Sequence, residues 1–157
     1  MKDGDDYLYR LHRLIYCSRA TAECMSQMRT AFPQILRVSV RNNAEIEVTG
    51  ALVACNGWFL QALEGPRIEV MKTYERIGAD TRHRDIHLIR AEPIDHRRFA
   101  SWNMCGRCLE PTDQAIVNTL ERGGTFNPLL LTPAMALDLL SAVRDIQRKH
   151  SQATATR

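Results

Sequence analysis

The sequence contains no apolar run approaching the roughly 18 residues that a membrane span needs, so a membrane is not expected as its setting. Eight glycines and six prolines in 157 residues are too few for a collagen-like or low-complexity chain. No charge of one sign dominates: 21 Lys and Arg stand against 18 Asp and Glu, a formal net charge of +3. That is far short of the basic patch that draws phosphate backbones through counterion release, and nucleic acid is not expected as a partner. Cysteine is odd in number and irregularly spaced, at positions 17, 24, 55, 105 and 108, which disfavours a disulfide framework and suits a reducing compartment. Residues 1–6 carry three Asp, one Lys and no apolar stretch, unlike a secretory signal or an Arg-rich transit peptide, so the cytoplasm is the expected location. What is present, 45% hydrophobic and 25% charged residues, fits one globular domain with one core.

From Tyr9 to Ser18 the sequence alternates Leu11, Arg13 and Ile15 with His12, Leu14 and Tyr16, the period-two pattern of a strand with two differently used faces. Thr21 to Arg29 shows no clear period. From Pro33, a residue suited to a helix's first turn, the spacing of Ile35, Leu36, Ser39 and Asn43 predicts a helix, although the β-branched Val38 and Val40 work against it. Glu45 to Cys55 reads as a strand kinked at Gly50, and Asn56-Gly57 joins it as a hairpin to Trp58–Glu64. Gly65-Pro66 opens a helix to about Ala79, with Val70, Met71, Tyr74 and Ile77 on one face. Further strands are expected over Asp85–Glu92 and from Phe99 to about Cys105.

This order predicts an α+β, ferredoxin-like βαββαββ fold: a five-stranded mixed sheet with two helices on one face and a cleft between them for a small molecule. Thr112 can cap a later helix with Ile116, Val117 and Leu120 inward, ended by Gly123-Gly124. Thr132-Pro133 starts another, with Ala136, Leu139, Leu140, Val143 and Ile146 in a stripe and Arg148, Lys149 and His150 near its C-terminal dipole. These helices should cover the other face, because a sheet covered on one side leaves its second apolar face wet. The expected organisation is an extension at 1–8, a domain at 9–108 and a helical extension at 109–157.

Some residues do not fit a plain core. Gln61 shares a strand face with Phe59 and Leu63, and an unpaired amide there would cost roughly 1 to 3 kcal/mol, so it needs a partner. Backbone, water or a ligand would each serve. Tyr16, beside Leu14, needs a partner for its phenol on the same ground. Asn42-Asn43 can simply terminate a helix, since Asn tolerates left-handed backbone. An Asn amide also complements an imide N–H flanked by carbonyls, and Ser39, four residues before Asn43, can face the same cleft. Cys105 and Cys108 have redox-motif spacing, but Pro111 breaks any helix that would start there to lower a thiol pKa.

Taken together, Leu14-Ile15-Tyr16-Cys17-Ser18, Arg41-Asn42-Asn43, Thr49-Gly50-Ala51-Leu52 and Phe59-Leu60-Gln61-Ala62-Leu63-Glu64-Gly65 resemble the BLUF family of blue-light sensors using flavin. Asp80-Thr81-Arg82-His83 and Trp102-Asn103-Met104 continue the match in the same order, over roughly two thirds of the chain. The resemblance implies a flavin, FAD or else FMN or riboflavin, held without covalent attachment between the two helices. Asn43 would bond the isoalloxazine edge, with Ser39, Asn42, Arg76, Arg82 and His83 as further candidates for flavin contacts. Tyr16 and Gln61 would form the photoactive pair, and Trp102 or Met104, alternating along the last strand, would neighbour Gln61 and relay the signal. The segment between Ser18 and Pro33 matches nothing in the family, and no cyclase, phosphodiesterase or DNA-binding pattern follows Cys105. The resemblance to short BLUF proteins therefore implies a sensor that is not an enzyme, acts on a separate effector protein and self-associates as a homo-oligomer. Two other readings remain beside it: a thiol-redox protein using Cys105 and Cys108, and a small acylphosphatase-like enzyme, for which the Gly-rich phosphate loop is missing.

Overall fold

The structure, a computed structural model, describes residues 3–110, 113, 116 and 126–155. Strand β1 (Leu11–Ala20) follows a short helix α1 (Asp3–Tyr9) and is an inner strand of the sheet, buried on both faces from residue 12 to 18. Thr21 then caps α2 (Ala22–Ser26), its Oγ1 accepting from the Cys24 N–H at 3.2 Å. Helix α3 (Met28–Glu45) starts earlier than its apolar period shows, so Pro33 lies in the second turn and not the first. Ala31 and Phe32, buried against the sheet, hold the added turn in place despite the hydrogen bond that proline cannot make.

Strand β2 (Thr49–Cys55) begins four residues later than Glu45, which closes α3. Asn43 O takes the N–H of Val48 at 3.1 Å, and Glu47 turns the chain with φ of 57°. Gly50 is not a kink: β2 and β3 (Trp58–Pro66) pair without a break, and a Cβ at Gly50 would stand 2.0 Å from Ala62 O. Between them Asn56 and Gly57 have φ of 49° and 80°, the left-handed pair that a two-residue hairpin turn needs. Helix α4 (Arg67–Gly78) leads to the edge strand β4 (His83–Pro93). The last strand, β5, spans Cys105–Cys108, so residues 99–104 arrive at it as irregular chain and not as a strand.

The sheet order is β4-β1-β3-β2-β5, antiparallel except for the parallel pair β2–β5. This is the mixed α+β ferredoxin-like arrangement with one strand added. Alternation along the strands divides the core in two. Leu14, Tyr16, Leu52, Phe59 and Leu63 face α3 and α4, while Ile15, Cys17, Val53, Leu60 and Ala62 face the other way. On that second face lies α5 (Pro133–Ala155), which buries Ala136, Leu139, Leu140 and Val143, as the stripe predicts. Thr132 caps α5 through Oγ1 to the Met135 N–H. The helix runs on to Ala155, so Arg148, Lys149 and His150 lie inside it and not at its end. The helix expected from Thr112 falls outside the described residues. Among the described residues no helix is long and apolar enough to cross a membrane.

Candidate functional site

Helices α3 and α4 stand apart over β1, β3 and β2, leaving an open cleft of about 780 Å³ when the space out to its mouth is counted. One side is the α3 face Ile35, Val38, Ser39, Asn42 and Asn43, at i, i+3, i+4, i+7 and i+8. The other is Thr73, Arg76 and Ile77 of α4, continued by Asp80, Arg82 and His83. The floor is made of alternate strand residues: Tyr16, Leu52, Phe59, Gln61 and Leu63.

Tyr16 and Gln61 are register partners on β1 and β3, so their side chains stand side by side on one face. The Tyr16 hydroxyl donates to Gln61 Oε1. The other end of the amide, Nε2, donates to Met104 Sδ at 3.4 Å. Both Tyr16 and Gln61 are 3% exposed. Burial pushes the Tyr16 phenol far above its ordinary pKa, with smaller upward pushes from Tyr74 and Asp80. Tyr74 packs its ring on Tyr16 with centroids 5.4 Å apart.

Asn43 is buried at the end of α3, where its Nδ2 donates to the Asn103 carbonyl at 3.0 Å. That bond uses one of the amide's two N–H groups. Ser39 and Asn42 are half-buried along the same side, and Arg76 is exposed at the rim. Arg82 is less free than its position implies. Its Nε donates to both Asp80 oxygens at 3.0 and 3.2 Å. The bonded guanidinium holds the Asp80 carboxyl below the usual range. His83 is a bracket within the wall: Nε2 lies 2.7 Å from Ile77 O and Nδ1 2.8 Å from Ser18 Oγ. A carbonyl only accepts, so Nε2 carries the hydrogen, and in the neutral ring Nδ1 accepts from the serine hydroxyl.

Met104 and Trp102 do not alternate along a strand; they precede β5 and diverge. Met104 belongs to the core below the cleft, against Gln61, whereas Trp102 packs on the α5 side of the sheet. Its Nε1 is buried without a hydrogen-bond partner among the described residues. Cys105 and Cys108, three apart on β5, pack on opposite faces of the sheet. Three strand residues span ~10 Å, beyond disulfide reach. Burial also pushes the Cys105 thiol up to about 11 and raises Cys108, the reverse of what redox chemistry requires.

The sequence reading missed Ile35, Val38 and Thr73 in the walls, Leu52 in the floor, the Asp80 partner of Arg82 and the Asn103 carbonyl. The helix period through Ser39 and Asn43 and the strand period through Gln61 carry the signal for the walls. Nothing local points to Asn103.

The sequence profile of the BLUF family, described as sensors of blue-light using FAD, matches residues 11–105. Photoactivated adenylate cyclase subunit beta of Euglena longa is 36% identical over 95 residues, 60% of this chain and 11% of that protein. The chain thus spans about a tenth of the length of the curated relatives it matches. In structure it is similar to the photo-activated state of BlsA, with a TM-score of 0.74 and 26% identity over 85% of this chain and 94% of that one. It is likewise similar to the dark state of BlrB, a BLUF protein, with a TM-score of 0.69 and 30% identity over 89% and 98% of the two chains. A profile match running from the first residue of β1 to the first residue of β5, over a sheet and helix pair that superimpose on those of a BLUF protein, shows that this chain belongs to the BLUF family of blue-light sensors.

Proposed function

We propose that the cleft holds its flavin as FAD, without covalent attachment, and that Tyr16 and Gln61 are the switch that light operates. The observation that carries this reading is the hydrogen-bonded chain from Tyr16 through Gln61 to Met104 on the floor of the cleft. The residues present fit the group: apolar Ile35, Val38, Leu52 and Leu63 would flank a planar ring system, and Asn43 has a carbonyl and a second N–H for its polar edge. Ser39, Asn42 and Arg76 line the way out toward a ribityl or phosphate group. Arg82 and His83 support the wall more than they reach into it, each being committed to Asp80, Ile77 or Ser18.

A bound flavin supplies the absorption of blue light and, when excited, a demand for one electron. Tyr16 is the oxidisable side chain on the floor. Because burial disfavours its charged form, its proton has to leave with the electron, and Gln61 Oε1 is the acceptor already in contact; electron and proton would both return to Tyr16, leaving only the amide rearranged. Gln61 has a donor end and an acceptor end and can stand in two arrangements. Its present one points the carbonyl at Tyr16 and the NH₂ at the weak acceptor sulfur of Met104. Turned over, the amide would donate toward the tyrosine oxygen and set its carbonyl against a sulfur that cannot donate. That mismatch makes the turned state the less stable one and returns the switch in darkness.

We place 9–108 as the sensing unit, with 1–8 and 109–157 as extensions to it. The chain itself would catalyse no reaction: β5 ends the sheet beside β2, α5 covers its second face, and the output would pass to a separate cytoplasmic effector or through self-association. The relative that is a photoactivated adenylate cyclase subunit supports an effector of the signalling-enzyme kind.

Light-minus-dark absorption of the purified protein tests the reading. A small red shift on blue illumination that decays in darkness is expected. Bleaching to reduced flavin, a thiol adduct, or a protein that stays colourless after flavin is added would overturn it.

A further inference from the structure

Glu64 is fully buried near the end of β3, three residues beyond Gln61 and on the opposite face of the strand. Its Oε2 accepts from Arg13 Nε at 3.0 Å and Nη2 at 2.8 Å, and Arg13, its register partner on β1, is itself 8% exposed. Its Oε1 accepts from the backbone N–H groups of Arg98 at 2.9 Å and Phe99 at 2.8 Å. A buried carboxylate held by a guanidinium fork and two backbone amides has little freedom to follow a moving chain.

What it grips is the start of the segment that carries Met104. Only residues 100–104 separate the gripped peptides from β5. Within them, Trp102 N–H donates to Phe99 O, Trp102 O accepts from Gly50 N–H, and Asn103 O accepts from Asn43, each within 3.1 Å. The same grip reaches α5: Arg144 Nη1 donates to Arg98 O at 2.6 Å, and the Arg98 guanidinium stands 3.6 Å from Asp138. A displacement at Met104 therefore has two outlets, deformation of 100–104 or transmission through Arg98 to α5.

We propose that Glu64, braced by Arg13, is a positioning residue that fixes where Met104 stands against Gln61 and thereby sets the lifetime of the switched state. This rests on the photosensor reading above. Return in darkness requires the Gln61 amide to turn back past the Met104 side chain, so a looser Met104 gives a faster return.

Glu64→Gln keeps the shape and a carbonyl for the backbone amides but turns an NH₂ group toward Arg13, donor against donor. Arg13→Lys keeps the charge and loses the fork. With flavin bound and well below the melting transition, E64Q should keep its red shift and recover in darkness about tenfold faster, the equivalent of one charge-assisted hydrogen bond. R13K should recover faster by a smaller factor. A residue that only stabilised the fold would lower the melting temperature and leave this rate alone. In the flavin-free chains, amide hydrogen exchange over 98–104 should accelerate while the β1–β3 ladder keeps its protection. Recovery within about twofold of wild type in both variants, or unchanged exchange over 98–104, overturns the proposal, and R13K decides alone if E64Q does not fold. A wild-type chain without a red shift overturns the photosensor reading and the lifetime claim with it, while the grip on 98–104 is still judged by exchange.

Discussion

The two faces of the sheet are built from the same strands and do opposite things. Tyr16 and Gln61 project toward α3 and α4, where the helices leave a cleft; their chain neighbours Cys17, Leu60 and Ala62 project into a filled hydrocarbon core under α5. All five are buried. The polar pair costs little because its hydroxyl, carbonyl and amide are bonded to each other and to Met104, while the apolar trio needs no partners at all. Period-two alternation therefore lets one strand carry a switch on one side and the fold's stability on the other, with residues one position apart free to serve different ends.

If the faces are separable, damage to each should have a separate signature. The largest effect should come from Tyr16→Phe, which removes the light-induced red shift entirely in difference spectra while the protein stays yellow and, with Gln61 Oε1 left without its donor, loses about 1–3 kcal/mol in urea unfolding. Gln61→Leu should also abolish the shift; by stranding the Tyr16 hydroxyl it should cost about 1–3 kcal/mol. On the other face, Leu140→Ala should cost about 2–5 kcal/mol by cavity formation and leave the size of the red shift unchanged below the transition. A red shift that shrinks with L140A would show that the faces are coupled through the strands. Asn43→Ala should weaken flavin retention on gel filtration by about tenfold, the worth of one lost hydrogen bond, with a small stability loss from the freed Asn103 carbonyl.

The smallest effect concerns neither the cleft nor the core under α5. His12 is buried beside Tyr7 of α1, and burial lowers its pKa from 6.5; a backbone hydrogen bond at Arg10 opposes the shift, and the charges of Arg67 and Arg10 add to it. Between that lowered value and 6.5 the folded chain binds fewer protons than the unfolded one, so stability is complete above pH 6.5 and falls as the pH drops through the window. His12→Asn should flatten the unfolding free energy across that window without changing the red shift.

The sequence by itself determined whatever depends on near neighbours along the chain. Alternation over Tyr9–Ser18 marks β1 because successive side chains of a strand must point to opposite faces. Asn56-Gly57 marks the hairpin because few residue pairs accept left-handed backbone twice in succession. The same rules put Ser39 and Asn43 on one helix face and Tyr16 and Gln61 on the floor beneath it. Only the tertiary structure decided the rest. Helix α3 begins at Met28, ahead of Pro33, because Ala31 and Phe32 find the sheet, a contact no local period encodes. Met104 and not Trp102 meets Gln61 because β5 starts at Cys105 and not earlier, and Cys105 and Cys108 part to opposite faces because the strand runs on to Cys108. Where it starts depends on the preceding segment, which Glu64 holds from 35 residues away and Asn43 from 60. Bonds of that reach join backbone groups whose identity the sequence does not distinguish, so the side chain that completes the switch is fixed only once the sheet has assembled.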